Sequence, residues 1–216
     1  MEQKILKSWQ EQVIKFVFAH DPLQSFYLTG GTALSGYYLQ HRVSDDLDFF
    51  SYDDFDSMFL HGVTESLKEI MGAKSVRFSK LYDRNQFFYT VNEEENKIEF
   101  TKYPFKQLQE VNNFNGARVD SEYDIAVNKL MTIVDRFDPK DFVDLFFLLQ
   151  KYDLMKLREG VQSKFGHRLD ILTIGSSFSK ARKIEALPKM IKPLIVDELK
   201  DFFNNESKKL SPDILN

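Results

Sequence analysis

Asp46 and Asp48 stand two residues apart in Val43-Ser44-Asp45-Asp46-Leu47-Asp48-Phe49-Phe50. On an extended strand that spacing turns both carboxylates to one face and sends Leu47 and Phe49 to the other. Their Cα atoms would lie about 6.5–7 Å apart, close enough for the two acids to converge on one divalent cation or to bracket a pair about 3.5–4 Å apart. Such a pair suits phosphoryl or nucleotidyl transfer, and the repulsion between two confined carboxylates is a reason to expect a cation between them. By itself, however, an Asp-x-Asp is more often an acidic strand end or turn.

The residues upstream add to the signal. Ser25-Phe26-Tyr27-Leu28 reads as a short strand that ends at Thr29-Gly30-Gly31-Thr32. A glycine pair where a strand meets a helix lets backbone N–H groups approach a phosphate, and the helix N-terminus adds favourable polarity. A turn needing positive φ explains one glycine; two glycines followed by Thr fit a triphosphate cradle better. Thr32 is a candidate N-cap for a short helix to about residue 40, and residues 43–50 read as the next strand.

Three further residues could complete a site. In Asn96-Lys97-Ile98-Glu99-Phe100 the alternation separates Glu99 from Ile98 and Phe100, which makes it either a third acid or a solvent-facing strand residue. Lys129 lies on a helix through 124–136 whose apolar positions include Ile125, Leu130 and Ile133; it is either a point charge for phosphates or a surface lysine burying its stem. Asp138 reads as an N-cap with Pro139 at the first helical position, which favours a capping role for Asp141, and Asp144 stands one turn on, where it could orient Lys129.

The ordered stretches Tyr27-Leu28-Thr29-Gly30-Gly31-Thr32-Ala33-Leu34 and His41-Arg42-Val43-Ser44-Asp45-Asp46-Leu47-Asp48-Phe49-Phe50 resemble the AbiEii/AbiGii-toxin type of the nucleotidyltransferase superfamily. Lys129, Arg136 and Lys140-Asp141-Phe142-Val143-Asp144-Leu145 extend the resemblance, with Lys140 standing where Arg is expected. The resemblance implies that Gly30, Gly31 and Thr32 hold nucleotide phosphates, that Asp46 and Asp48 bind Mg²⁺ or Mn²⁺, and that Lys129 and Asp144 complete the catalytic set. Glu99 would be the third metal acid, at a position where the family more often has Asp. Arg42 and Ser44 match the pattern on the nucleotide side; Arg42 would pair with a phosphate or with Asp45.

The activity implied by the resemblance is a metal-dependent transfer of a nucleotidyl group from a nucleoside triphosphate to an acceptor hydroxyl. Proteins of this type act as toxins in toxin–antitoxin and phage-defence systems, and some modify tRNA ends, so tRNA is the leading acceptor and a cognate antitoxin protein the expected partner. Two other readings stay open: a nucleotide- or partner-binding module whose catalytic geometry has degraded at Glu99 and Lys140, and an antibiotic-type transferase acting on a small molecule.

Positioning these residues requires a strand, glycine turn, helix, strand unit and a helical partner. Residues 2–19 carry helical spacing through Ile5, Leu6, Trp9, Val13, Phe16 and Val17, and residues 57–71 do so again. Strand-like segments occur at about 74–80, 85–91 and 97–102, the last two flanking a polar tip at 92–96. From Ser121 the period is helical, broken at Asp138-Pro139, Gly166, Pro188 and Pro193. The expected class is α+β, a nucleotidyltransferase-like mixed β-sheet with flanking helices at 1–118, followed by a helical C-terminal half at 119–216.

Composition bounds the chemistry. With 216 residues, 43% of them hydrophobic and 21 of them Phe, the chain can bury a large core. It has no Cys and four His, so any metal must lean on carboxylates. No apolar run approaches the roughly 18 residues of a membrane span, which points to a cytoplasmic protein with no membrane partner. Net charge is −4, yet residues 151–192 hold ten Lys/Arg against four Asp/Glu, a candidate surface for an RNA backbone or an ordinary solvated helical face.

Overall fold

The computed structural model describes residues 5–210; residues 1–4, part of the expected first helix, lie outside them. The chain forms two compact units. The first comprises Met1–Tyr38 and Ser44–Ser121, the second Leu39–Val43 and Glu122–Asn216. The second unit thus takes five residues from between the glycine turn and the Asp-x-Asp segment, an exchange that a single boundary near residue 118 does not contain.

The first unit is built on one mixed seven-stranded sheet. Its strands are β1 (Tyr27–Thr29), β2 (Leu47–Ser51), β3 (Ser75–Leu81), β4 (Arg84–Val91), β5 (Glu94–Lys102), β6 (Asn112–Phe114) and β7 (Ala117–Val119). They are ordered β3-β4-β5-β2-β1-β7-β6, with β2–β5 and β1–β7 parallel and the other neighbours antiparallel. Two-residue turns set the registers of β4–β5 and β6–β7. Asn92 and Glu93 carry positive φ between β4 and β5, as do Asn115 and Gly116 between β6 and β7; paired left-handed residues match the right-handed twist of a two-residue hairpin. The polar tip expected at 92–96 is therefore only two residues long, and β5 begins at Glu94.

Register sorts the two faces of the sheet. Val119, Leu28, Phe49 and Phe100 pair in one row across β7, β1, β2 and β5, and all four are buried. Phe49 and Phe100 stack at 5.2 Å, with Phe18 and Phe26 edge-on at 5.9 and 5.2 Å. Phe18 comes from α1 (Ser8–Ala19), which packs against this sheet and against α3 (Ser57–Met71). Asp56 caps α3 by accepting from the Met58 N–H, and Gly72, at φ +61°, ends it. The adjacent row, on the opposite face, is polar.

The second unit is helical: α4 (Glu122–Asp135), α5 (Pro139–Leu149), α6 (Leu154–Phe165), α7 (Ile171–Ser179) and α8 (Val196–Leu210). α4 packs on α5, α6 and α7, and α8 on α5 and α7. Phe203 of α8 lies edge-on to Phe142 and Phe178 at 5.2 and 5.1 Å, the aromatic centre of this core. Leu39–Val43 is tied to 189–192 through Val43 N–H to Lys189 O and Ile191 N–H to His41 O, both 2.8 Å. Lys164 and Asp124 form an ion pair at 2.7 Å with both side chains fully buried. No helix among the described residues is long and apolar enough to cross a membrane.

Phe100 is the ring that the Phe26 segment, β2 and β4 share, through Phe26, Phe49 and Phe87. Phe100→Ala is expected to cost about 3–5 kcal/mol, because the surrounding rings cannot collapse into the space it leaves. Urea unfolding measures this; a loss below about 1 kcal/mol would show that the row is not the core of the sheet.

Candidate active site

The polar face of the sheet gathers its acids by register. Thr29 pairs with Asp48, Asp48 with Glu99, and Glu99 with Gln86, so four neighbouring strands present one row of polar side chains. Asp46 and Lys97 stand two residues earlier than Asp48 and Glu99. β2 begins only at Leu47, so Asp46 belongs to the approach to the strand and not, as expected, to a strand running from Val43. The two aspartates nevertheless converge. Lys97 Nζ lies 3.6 Å from Asp46 Oδ2, 3.3 Å from Asp48 Oδ1 and 3.3 Å from Glu99 Oε2. The cation that the paired acids call for is, in this structure, the ammonium of Lys97.

Glu99 does not present itself as an open third ligand. Arg84 donates to both of its oxygens (2.6 and 2.8 Å), Thr101 to Oε1 (2.8 Å), and Gln86 and Lys97 to Oε2 (2.9 and 3.3 Å). Five donors exhaust the roughly four lone-pair directions of a carboxylate. Among the described residues no group of three or more His, Asp or Glu could hold a metal ion. The donor set left for a divalent cation is Asp46 and Asp48, two hard oxygen ligands of the kind Mg²⁺ and Mn²⁺ take, already meeting around one positive charge.

Electrostatics separate these acids. Burial raises the pKa of Asp48 above the ordinary carboxylate value, and Lys97 works against it while Glu99 and Asp46 add to it. Burial acts in the same sense on Glu99, but the bonds from Arg84 and Gln86 and the charge of Lys97 outweigh it and bring the group down to about 2. Lys97 is pushed up, since three carboxylates outweigh its desolvation.

The glycine turn fits closely around this cluster. Gly30 opens the short helix α2 (Gly30–Ala33) at φ +73°, and a Cβ there would come within 2.6 Å of Asp48 Oδ2. Both constraints admit only glycine. Gly31 comes next, inside the turn. Thr32 is not the N-cap; Thr29 holds that position, and the buried Thr32 hydroxyl donates to the carbonyl of Asp46, fixing the segment that carries the first aspartate. Beyond Ala33 the chain continues as a π-helical turn, Leu34–Leu39. The Ser44 carbonyl accepts from Gln10 Nε2 at 2.9 Å.

A separate charged knot lies inside the second unit. Arg42, expected to meet a phosphate or Asp45, instead grips Asp144, Nε to Oδ1 at 2.6 Å and NH2 to Oδ2 at 2.8 Å; Asp45 pairs with Lys7. His41 Nε2 lies 2.7 Å from the same Asp144 Oδ1. Lys129 Nζ lies 2.6 Å from both Asp141 and Asp144, and Arg136 donates to Asp141 at 2.9 Å. The cap of α5 is Asp138, accepting from the Lys140 N–H; Asp141 is an ion-pair residue instead. Burial alone would raise Asp144, but Lys129, Arg42 and the hydrogen bonds from His41 and Arg42 hold it well below the carboxylate range. Burial also lowers the pKa of His41, against the opposing pull of Asp144.

The alternation that singles out Glu99 also places Lys97 on its face, so Lys97 is legible by the same rule. Arg84 and Gln86 are not, since they reach the site through the β4–β5 register.

Glu99 has a testable signature. Its pKa lies at about 2 against an ordinary 4.5, so the stability it contributes is complete above about pH 4.5 and is lost as pH falls toward 2. Over that window the wild type is expected to lose on the order of 3 kcal/mol more than Glu99→Gln in urea unfolding. Parallel decline of both proteins would refute the ion-paired assignment.

Known proteins share the sequence and the fold across almost all of the chain. The family model described as nucleotidyl transferase AbiEii toxin, type IV toxin–antitoxin system, matches residues 16–213. An uncharacterized protein of Aquifex aeolicus is 30% identical over 211 residues, covering 94% of this chain and 97% of its own. JHP933 of Helicobacter pylori shares the fold with a TM-score of 0.59 at 20% identity, over 95% of this chain and 93% of that one. The MenT4 nucleotidyltransferase toxin of Mycobacterium tuberculosis does so with a TM-score of 0.57 at 16% identity, over 93% and 81%. With nearly its whole length matched, the chain belongs to the AbiEii family of nucleotidyltransferase toxins.

Proposed function

We propose that the chain moves a nucleotidyl group from a nucleoside triphosphate to a hydroxyl of an RNA acceptor, tRNA foremost, with Mg²⁺ or Mn²⁺ held by Asp46 and Asp48. The observation that carries this reading is the convergence of both aspartates on one cationic centre, at 3.6 and 3.3 Å, directly beside the Gly30 turn. When bound, the divalent ion polarises a phosphate oxygen and eases ionisation of the acceptor hydroxyl.

The protein's own residues supply position. Gly30 leaves the space in which Asp48 sits, and Gly31 and Thr32 would hold the phosphates, Thr32 also fixing the Asp46 carbonyl. Lys129 is committed to Asp141 and Asp144, so the role that fits it is to position. Together they fix the carboxylate that Arg42 grips, and Val43-Ser44-Asp45-Asp46 comes directly after Arg42 in the chain. Arg42, Lys129 and Asp144 then act as positioning residues for Leu39–Val43 within the second unit.

An RNA acceptor draws support from the basic stretch, with one reduction. Lys164 is buried on Asp124, whereas Lys151, Lys156, Arg168, Arg182, Lys183, Lys189 and Lys192 are exposed. A toxin of a type IV system implies a cognate antitoxin as partner, and action on cellular RNA implies a cytoplasmic site of work. One observation favours a binding module without catalysis: Lys97 already fills the carboxylate cluster.

Incubation with each labelled triphosphate, Mg²⁺ and total RNA decides among these readings. The expected result is a labelled RNA band that disappears in Asp48→Ala, with unfolding midpoints little changed. Full transfer by folded Asp48→Ala overturns the metal assignment, and nucleotide binding with no label on any acceptor favours the binding module. RNA affinity is also expected to fall log-linearly with salt, by roughly a factor of ten or more between 50 and 200 mM; a flat response removes the basic surface from the proposal.

A further inference from the structure

Lys97 is an unusual lysine. Its side chain is 18% exposed, and its ammonium meets three different carboxylates, donating to Asp48 and Glu99 at 3.3 Å and pairing with Asp46 at 3.6 Å. The carboxylate behind it, Glu99, is itself immobilised by Arg84, Gln86 and Thr101. Glu99 therefore serves as a fixed anchor for the ammonium, while Asp46 and Asp48, 45% and 22% exposed, form its open side. Three carboxylates against Lys97 and Arg84 leave one net negative charge in the cluster; without Lys97 there would be two. A unit charge a few ångströms from the approaching ion dominates its binding energy.

We propose that Lys97 is the built-in cation of the carboxylate cluster: its ammonium keeps Asp46 and Asp48 converged in the free protein and screens them from bare divalent ions, so that metal enters as its complex with a nucleoside triphosphate. This rests on Asp46 and Asp48 being the metal ligands, as proposed for the transfer reaction. A polyphosphate arriving with the ion supplies the oxygen anions that the ammonium gives up when the aspartates turn to the metal. Bare ions offer no such exchange, and displacing the ammonium would leave it facing a like charge with Glu99 as its remaining partner. Lys97 is thus a positioning residue that makes loading of the site depend on the nucleotide.

The test is Mn²⁺ binding to the full chain without nucleotide, monitored by the paramagnetic signal of the free ion. Lys97→Met keeps the apolar stem and Lys97→Gln keeps a hydrogen-bond donor, so agreement between them separates lost charge from disturbed folding. Both are expected to bind Mn²⁺ at least about tenfold more tightly than wild type. Lys97→Arg, which retains the charge, should remain close to wild type, and adding Asp48→Asn should abolish the gain. If Lys97→Met and Lys97→Gln bind no more tightly than wild type while Asp48→Asn still weakens binding, the role of Lys97 is refuted and the metal site stands. If Asp48→Asn changes Mn²⁺ affinity in no background, the metal reading fails and this inference with it.

Discussion

Register on a sheet brings charges together without regard to their sign. Because β2 and β5 run side by side in parallel with Asp48 opposite Glu99, three acids must share a few ångströms of half-buried space. No set of carboxylates stays ionised there without positive charge of its own. Lys97 and Arg84 meet that demand, Gln86 and Thr101 donate to the oxygens of Glu99, and the Gly30 turn leaves room for Asp48. Opposite them, the Phe49–Phe100 stack and the helices over it hold the strands in the register that creates the problem.

The second unit solves a similar difficulty in a different way. Asp144 is fully buried, a position costly for an ion unless its charge and its lone pairs are met. Arg42, His41 and Lys129 meet both, and the planar fork of Arg42 fixes direction as well as charge. A lysine in place of Arg42 could supply the charge but could not grip both oxygens.

Period and punctuation in the sequence are enough to read much of this. The breaks at Asp138-Pro139 and Gly166 fall where α5 begins and α6 ends, and β3 and β4 lie where alternation puts them, while β5 starts three residues earlier, at Glu94. The β6–β7 hairpin reads instead as a boundary, although Asn115-Gly116 is the strongest short hairpin signal available, because its three-residue strands are too short to show a period. At the site, the sequence identifies the acids but not what faces them. Whether Arg42 meets a phosphate, Asp45 or Asp144 depends on residues 102 positions away, and no local rule reaches that far.

The exchange of Leu39–Val43 into the helical unit makes the chain topologically indivisible. A cut near residue 121 would give one fragment carrying a guanidinium and an imidazole shaped for burial, and another whose buried Asp144 keeps Lys129 but loses Arg42 and His41. The order of synthesis imposes the same condition on the nascent chain. Arg42 leaves the ribosome about a hundred residues before Asp144, so the loop leading to the Asp-x-Asp segment cannot be locked until α5 has been made.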